Sequence, residues 1–242
     1  MNDRIELLGL MVDIASTKTA SEGILQLLNG EGSNVVYFVS SETFILLREN
    51  QDWKMIVEGS DYVLPGNSNV NARLDDVLGH KRAPFFFDGL LDAVFDNAVE
   101  MGYEIFLVAE DEDKFTFIQE NIHTKRPFLT MSGLFLEERD QSTDRIVNEI
   151  NSVAPNILLI ALEETKQLEL LQQFRKQMNA GIMLFTGNVL YNNAVSDVEV
   201  PDSIQKLRIE NLYKWFLKER SWKSMLNNLR MKLGVRRKKK EN

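Results

Sequence analysis

The sequence contains no cysteine, which excludes disulfides, thiolate zinc sites and cysteine nucleophiles. That usage is compatible with a reducing cytoplasm. Histidine is nearly as scarce. His80 and His123 lie far apart and lack metal-ligand spacing, which argues against a Ser-His-Asp triad or a histidine metal site, so neither a metal nor another cofactor is expected. No apolar run reaches the ~18 residues that a membrane-spanning helix needs; the longest candidates, such as Ile157 to Leu162, are strand-sized. The N-terminus, MNDRIELLGL, lacks the charged-then-apolar layout of a signal peptide. Internal repeats and low-complexity linkers are missing as well.

What is present is ordinary for a globular protein. The chain has 242 residues, 44% of them hydrophobic and 26% charged, enough to bury a full core in one sizeable domain with an appendage. The charge is unevenly placed. From Lys218 to Asn242 there are ten basic and two acidic residues, a net of +8, which leaves −16 on the remainder of a chain whose net charge is −8. An acidic body with a basic tail does not fit a nucleic-acid binder, whose basic surface belongs to the folded domain.

Short apolar runs alternate with longer amphipathic stretches. Strands are predicted at Ile5 to Val12, Val35 to Val39, Tyr62 to Leu64, Glu104 to Ala109, Phe128 to Met131, Ile157 to Ala161 and Ile182 to Phe185. The runs are continuous rather than alternating, as in strands covered on both faces. Helices are predicted at Leu90 to Val99, at Asp144 to Val153 behind a cap at Ser142-Thr143, and at Lys166 to Met178. This alternation predicts an α/β fold, a mostly parallel Rossmann-like sheet with helices on both faces. Ligands of such sheets bind beyond the C-terminal ends of the strands. From about Ser203 the pattern becomes helical only, at Ile204 to Phe216 and Arg220 to Leu233. A boundary near Pro201 is expected, with a core over residues 1–202 and a helical appendage over 203–242 that ends in a polybasic run.

The strand ends carry Ser40-Ser41-Glu42-Thr43, Pro65-Gly66-Asn67-Ser68-Asn69 and Leu162-Glu163-Glu164-Thr165-Lys166-Gln167. With Met101-Gly102-Tyr103-Glu104-Ile105-Phe106-Leu107, the run from Ala154 to Leu162 and the run from Gln205 to Tyr213, they give the chain, over nearly its whole length, a pattern that resembles the WecG/TagA/CpsF glycosyltransferases. The resemblance implies an inverting, metal-independent transfer of a hexose or N-acetylhexosamine from a UDP-sugar to a polyprenyl-diphosphate-linked acceptor at the cytoplasmic membrane face.

Several family motifs are altered. Members carry Thr-Pro-Asn where this chain has Ser40-Ser41-Glu42. They carry Asp-Gly-x-Gly after Leu-Pro, with the aspartate as catalytic base. Here Gly66 stands in the aspartate's place, and Asn67 and Asn69 stand in the glycines'. A glycine cannot accept a proton; the nearest carboxylates in sequence are Asp75, Asp76 and Asp88, of which Asp88 lies close to a second family aspartate. The family's glycine-rich turn after the fourth strand is Glu110-Asp111-Glu112-Asp113, which would repel a diphosphate. Glu199 replaces a basic residue, and Gly187-Asn188 replaces a glycine pair.

Each candidate has two readings. Lys166 and Gln167 contact a nucleotide-sugar or acceptor phosphate, or form a solvated first turn. Ser40 binds an acceptor hydroxyl or caps a helix. Asn67 and Asn69 bind sugar or serve their turn. Glu110 to Asp113 hold a metal, or suit a helix dipole. Pro84 to Phe87 is core or an apolar lipid path. For the whole protein the first expectation is a divergent hexosyltransferase with Asp88 and Ser40 as catalytic residues and Asn67, Lys166 and Gln167 on the substrate. The second is a non-catalytic member that binds an active homologue, as a homo- or hetero-oligomer, or scaffolds a complex at the membrane.

In the tail, Trp222, Met225, Leu226, Leu229 and Leu233 share one helical face, followed by Arg236, Arg237, Lys238, Lys239 and Lys240. Such a stripe with a polybasic end fits an interfacial helix at an anionic membrane, and family members dock through a similar appendage, which places the protein peripherally at the inner face of the cell membrane. The other reading packs this helix on the body or on a second subunit. Deleting residues 218–242 is expected to abolish co-sedimentation with anionic liposomes. Neutralising Arg236 to Lys240 weakens it in a salt-dependent way, and Trp222→Ser with Leu226→Ser weakens it even at high salt. A truncated body that binds liposomes as well as the full chain, or that unfolds, refutes the membrane role.

Overall fold

The computed structural model describes residues 3–30, 32–81, 83, 85–136 and 143–196. The expected boundary near Pro201, Glu199 and every tail residue assigned to the membrane lie outside the described residues. Contacts group Met1–Leu190 into one compact unit, and a second unit begins at Tyr191.

In chain order the elements are β1 (Arg4–Leu7), β2 (Leu10–Asp13), α1 (Thr17–Leu28), β3 (Asn34–Val39), α2 (Ser41–Glu49), α3 (Gln51–Glu58), β4 (Tyr62–Pro65), α4 (Ser68–Leu78), α5 (Phe87–Met101), β5 (Glu104–Ala109), α6 (Glu112–Lys125), β6 (Thr130–Phe135), α7 (Thr143–Val153), β7 (Ile157–Ala161), α8 (Glu164–Phe174), β8 (Ile182–Phe185) and α9 (Asn188–Ser196). The main sheet has six strands in the order β4-β3-β8-β7-β5-β6, and every pairing within it is parallel. The strands are short, and all but the edge strand β6 are apolar and almost fully buried, because helices cover both faces. Val35, Tyr37 and Val39 share one core with Phe106, Val108, Leu158, Ile160, Met183 and Phe185, closed by α2, α3, α4, α7 and α8. On the opposite face Phe38 meets Phe87 of α5 edge-on at 4.8 Å, and Phe115 of α6 packs on Phe135.

Local chemistry sets the helix starts. Ser16, Ser40, Asn50, Asn67 and Asp111 each leave an extended residue and accept a first-turn backbone N–H, so that α1, α2, α3, α4 and α6 all begin on a side-chain cap.

Two expectations need correction. Ile5 to Val12 is not one strand. It folds back at Leu8-Gly9, both with positive φ (52° and 88°), to make the antiparallel pair β1-β2. A two-residue turn of this kind needs positive φ at both positions; glycine supplies one and Leu8, 69% exposed, takes the other. The fifth predicted strand also shifts, from Phe128–Met131 to Thr130–Phe135, because Phe128 is exposed and the segment before β6 is a turn.

The hairpin is tied to the main sheet by Asp13, which is fully buried. Asp13 accepts from the Val63 N–H at 2.6 Å and from Arg4 Nε at 3.1 Å; Arg4 also donates to the carbonyls of Glu58 and Ser60. Asp13→Ala leaves the Val63 amide and the guanidinium unpaired and is expected to cost about 3 kcal/mol. Arg4→Met should cost less, because Arg4 is partly solvated. Urea denaturation midpoints of the two variants check the order.

Candidate active site at the C-terminal edge of the sheet

Because all strands of the main sheet are parallel, the segments after Val39, Pro65, Ala109, Ala161 and Phe185 share one edge. Ser40, Gly66, Glu110, Lys166 and Gly187 therefore gather at the same end, as the sequence predicts. The chain leaves β5 toward β6 on one side and leaves β7 toward β8 on the other. The crevice between the ends of β5 and β7 is thus a topological switch point, the usual ligand position in open α/β sheets.

The chain's own side chains occupy this edge. Glu164, the first residue of α8, is 3% exposed. Its side chain reaches from the end of β7 to β3. There Tyr37 Oη donates to its Oε2 at 3.0 Å, and Ser40 Oγ donates to its Oε1 at 2.9 Å. Gln167, fully buried, donates from Nε2 to Glu164 Oε2 at 2.7 Å and to Tyr37 Oη at 3.0 Å. Its Oε1 has no partner. Burial pushes the Glu164 carboxyl above the usual carboxylate range, against the opposing effect of the hydrogen bonds from Gln167, Ser40 and Tyr37. Burial, reinforced by the Glu164 carboxyl, drives the Tyr37 phenol well above its ordinary value, so it remains a donor.

Of the two readings of Ser40, the structure shows the helix cap. Its Oγ caps α2 by accepting from Glu42 N and Thr43 N, each at 3.2 Å, and donates its one proton to Glu164. Gly187, with φ +54°, closes the cluster; a Cβ there would come within 3.1 Å of Gln167 Nε2 and 3.3 Å of Glu164 Oε1.

A second carboxylate fills the switch point. Glu110 Oε2 accepts from the Glu163 N–H at 2.9 Å, and Lys166 Nζ donates to its Oε1 at 2.5 Å. Glu163, the N-cap of α8, has no side-chain cap bond of its own, and Glu110 satisfies the N–H of Glu163 itself from the neighbouring loop. Lys166 and Glu110 keep side-chain exposures of 26% and 18%, and a pair this accessible contributes about 1 kcal/mol or less. The rest of the acidic turn has a plain helical role: Asp111 caps α6 by accepting from Lys114 N at 2.8 Å, and Glu112 and Asp113 lie in its first turn. Lys114 Nζ then reaches Asn188 Oδ1 at 3.2 Å, beyond the end of β8.

The structure brings Ser40 and Gln167 together on Glu164, while Lys166, at the same edge, faces Glu110. It does not add Asn67 to them in the expected role: Asn67 Oδ1 caps α4 through Val70 N at 3.0 Å. Asp88 is exposed in the first turn of α5, outside the Glu164 network. At Gly66 a Cβ would stand 2.8 Å from Val189 Cγ2 and 3.1 Å from the Val39 carbonyl, so the turn has no room for a carboxylate side chain without repacking. Sequence reasoning missed Glu164, Tyr37 and the specific part of Glu110. A signal for Glu164 was present, since Glu164, Gln167, Leu168 and Leu171 recur at helical spacing on one face. A cavity of about 710 Å³ lies between the β1-β2 turn, α2 and α4, bounded by Leu8, Ser41, Phe44, Arg48, Asn69 and Arg73, so two strand-end residues, Ser41 and Asn69, line it. Among the described residues no group of three or more His, Asp or Glu is placed to hold a metal ion, and no helix is long and apolar enough to cross a membrane.

The raised Glu164 pKa has a definite sign in stability. The folded state holds this proton more tightly than the unfolded chain, whose glutamates titrate near about 4.3. Its contribution is therefore fully present below the unfolded value and is lost as pH rises through the folded value. The stability of the wild type relative to Glu164→Gln is expected to be greatest at about pH 4 and to shrink as pH rises above it. Urea denaturation across a pH series measures this, and a gap that widens with pH would contradict the burial argument.

Comparison with known proteins accords with this placement of motifs at the strand ends. No curated protein matches the sequence. The sequence model of the glycosyl transferase WecG/TagA/CpsF family matches residues 5–242, nearly the whole chain, and the protein belongs to that family.

Proposed function

We propose that the protein is a divergent hexosyltransferase of bacterial cell-surface polysaccharide assembly. It would transfer a hexose or N-acetylhexosamine from a UDP-sugar to a polyprenyl-diphosphate-linked acceptor, at the inner face of the cell membrane, with inversion. The observation that carries this reading is the convergence of Ser40, Lys166 and Gln167 at the C-terminal edge of the sheet in a chain of this family. In a direct displacement the acceptor hydroxyl loses its proton to a base and its oxygen bonds to the anomeric carbon. The bond from that carbon to the UDP oxygen breaks on the opposite face, and UDP departs with the electron pair. Lys166 is the cation placed to offset the charge on the leaving diphosphate. Glu164 is a poor base, since both its oxygens accept hydrogen bonds and it is 3% exposed. Asp88, exposed in the first turn of α5, is the residue assigned to take the proton, and Ser40, which is bonded to Glu164 in this arrangement, would release it to orient the acceptor.

A second reading, a non-catalytic member that binds an active homologue or scaffolds a complex at the membrane, is favoured by two specific observations. Gly66 lacks both the carboxylate and the space for one, and Lys166 is already neutralised by Glu110. A thermal-shift series with UDP and common UDP-sugars, followed by an assay of UDP release with a lipid-linked acceptor, separates the readings. A bound donor at 100 times its Kd adds about 2.7 kcal/mol of stability. Stabilisation with UDP release supports the transferase. No stabilisation by any UDP-sugar sinks it and leaves the second reading.

A further inference from the structure

We propose that Glu110 is an internal anion that closes the phosphate position of this site, and that an incoming diphosphate must displace it from Lys166 and the start of α8. The inference rests on reading the sheet edge as the donor site. It adds a specific occupant and a way to open it.

Three observations carry it. Glu110 follows β5 and Lys166 follows β7, so their contact spans the one crevice that the strand order marks for ligands. The groups that Glu110 engages, one backbone N–H at a helix start and one ammonium, are those a phosphate oxygen would engage. Of the four acids in the turn, Asp111, Glu112 and Asp113 serve α6, whereas Glu110 alone bonds to α8.

Because both members of the ion pair stay partly open to solvent, an external anion can compete for Lys166 without unfolding the edge. Removing the charge of Glu110 while keeping an oxygen for the Glu163 amide should therefore expose an anion site. Keeping Glu110 and removing Asp113 should not.

The test is titration of inorganic pyrophosphate into the full chain by calorimetry, at two salt concentrations. Glu110→Gln is expected to bind pyrophosphate at least tenfold more tightly than the wild type. The gain should fall with salt and disappear in Glu110→Gln combined with Lys166→Gln, while Asp113→Asn should match the wild type. Circular dichroism and thermal melts confirm that each variant is folded. If Glu110→Gln is folded and shows no gain, or if Asp113→Asn gains as much, the closing role is wrong and the contact is only a brace between two loops. UDP titrated in parallel keeps the two ideas apart. Wild-type affinity for UDP with no effect of Glu110→Gln would overturn this inference and leave the transferase reading standing. Affinity for pyrophosphate but not UDP in Glu110→Gln would support the closing role and count against that reading.

Discussion

The carboxyl group of Glu164 is the point at which the functional edge is held together. It is buried, so it is stable there only because hydroxyl and amide donors converge on it. Those donors come from distant parts of the chain: Tyr37 from within β3, Ser40 from the start of α2 and Gln167 from the next turn of α8. Satisfying one carboxyl thus fixes the end of β3 against the end of β7, across the intervening β8. It also fixes the N-terminus of α2, because the serine that donates to Glu164 is the one that caps that helix. Gly187 is required beside it, in a backbone conformation that glycine tolerates best.

Glu110 extends the same logic one strand further. It joins the loop after β5 to the start of α8, and Lys114 joins the start of α6 to Asn188. The edge that a ligand would order is therefore ordered by internal side chains. This explains why the sequence can lose the family's glycine-rich turn and its aspartate and still keep the scaffold. In the turn after β5 charge replaces backbone openness, and Glu110 and Asp111 have partners within the chain.

Much of this was legible in the sequence. Continuous apolar runs such as Ile157 to Ala161 identify buried parallel strands without ambiguity, and the parallel sheet then dictates that the residues following them meet. The errors have physical causes. Ile5 to Val12 reads as one strand because its turn uses leucine at a positive-φ position, where asparagine would have announced the hairpin. Asn67 carries two readings in the sequence because a helix cap and a sugar-binding amide look alike in one dimension, and the structure shows the cap. Glu164 was overlooked because acids at a helix start are common for dipole reasons. Only its spacing to Gln167, Leu168 and Leu171 reveals that it faces inward. Lys166, two residues on, faces the other way, toward Glu110.

Whether such an edge binds a donor is then a competition between two anions for one ammonium. The internal carboxylate is tethered a few ångströms away and has an effective concentration on the order of millimolar or higher. An external diphosphate brings more charge and more acceptor oxygens, so it engages Lys166 more strongly per encounter, but it must also tolerate the displaced Glu110 nearby. Repulsion between unit charges at 4 Å costs about 1 kcal/mol in water and about 4 kcal/mol near a protein surface. A ligand that gains less than this from the rest of its contacts leaves the ion pair closed; one with a nucleoside and a sugar to anchor it can open the pair. The fold is indifferent to which occurs, because Glu164 holds the edge together in either case. On the transferase reading, donor binding therefore turns on the contacts a donor makes beyond its phosphates and not on the integrity of the sheet.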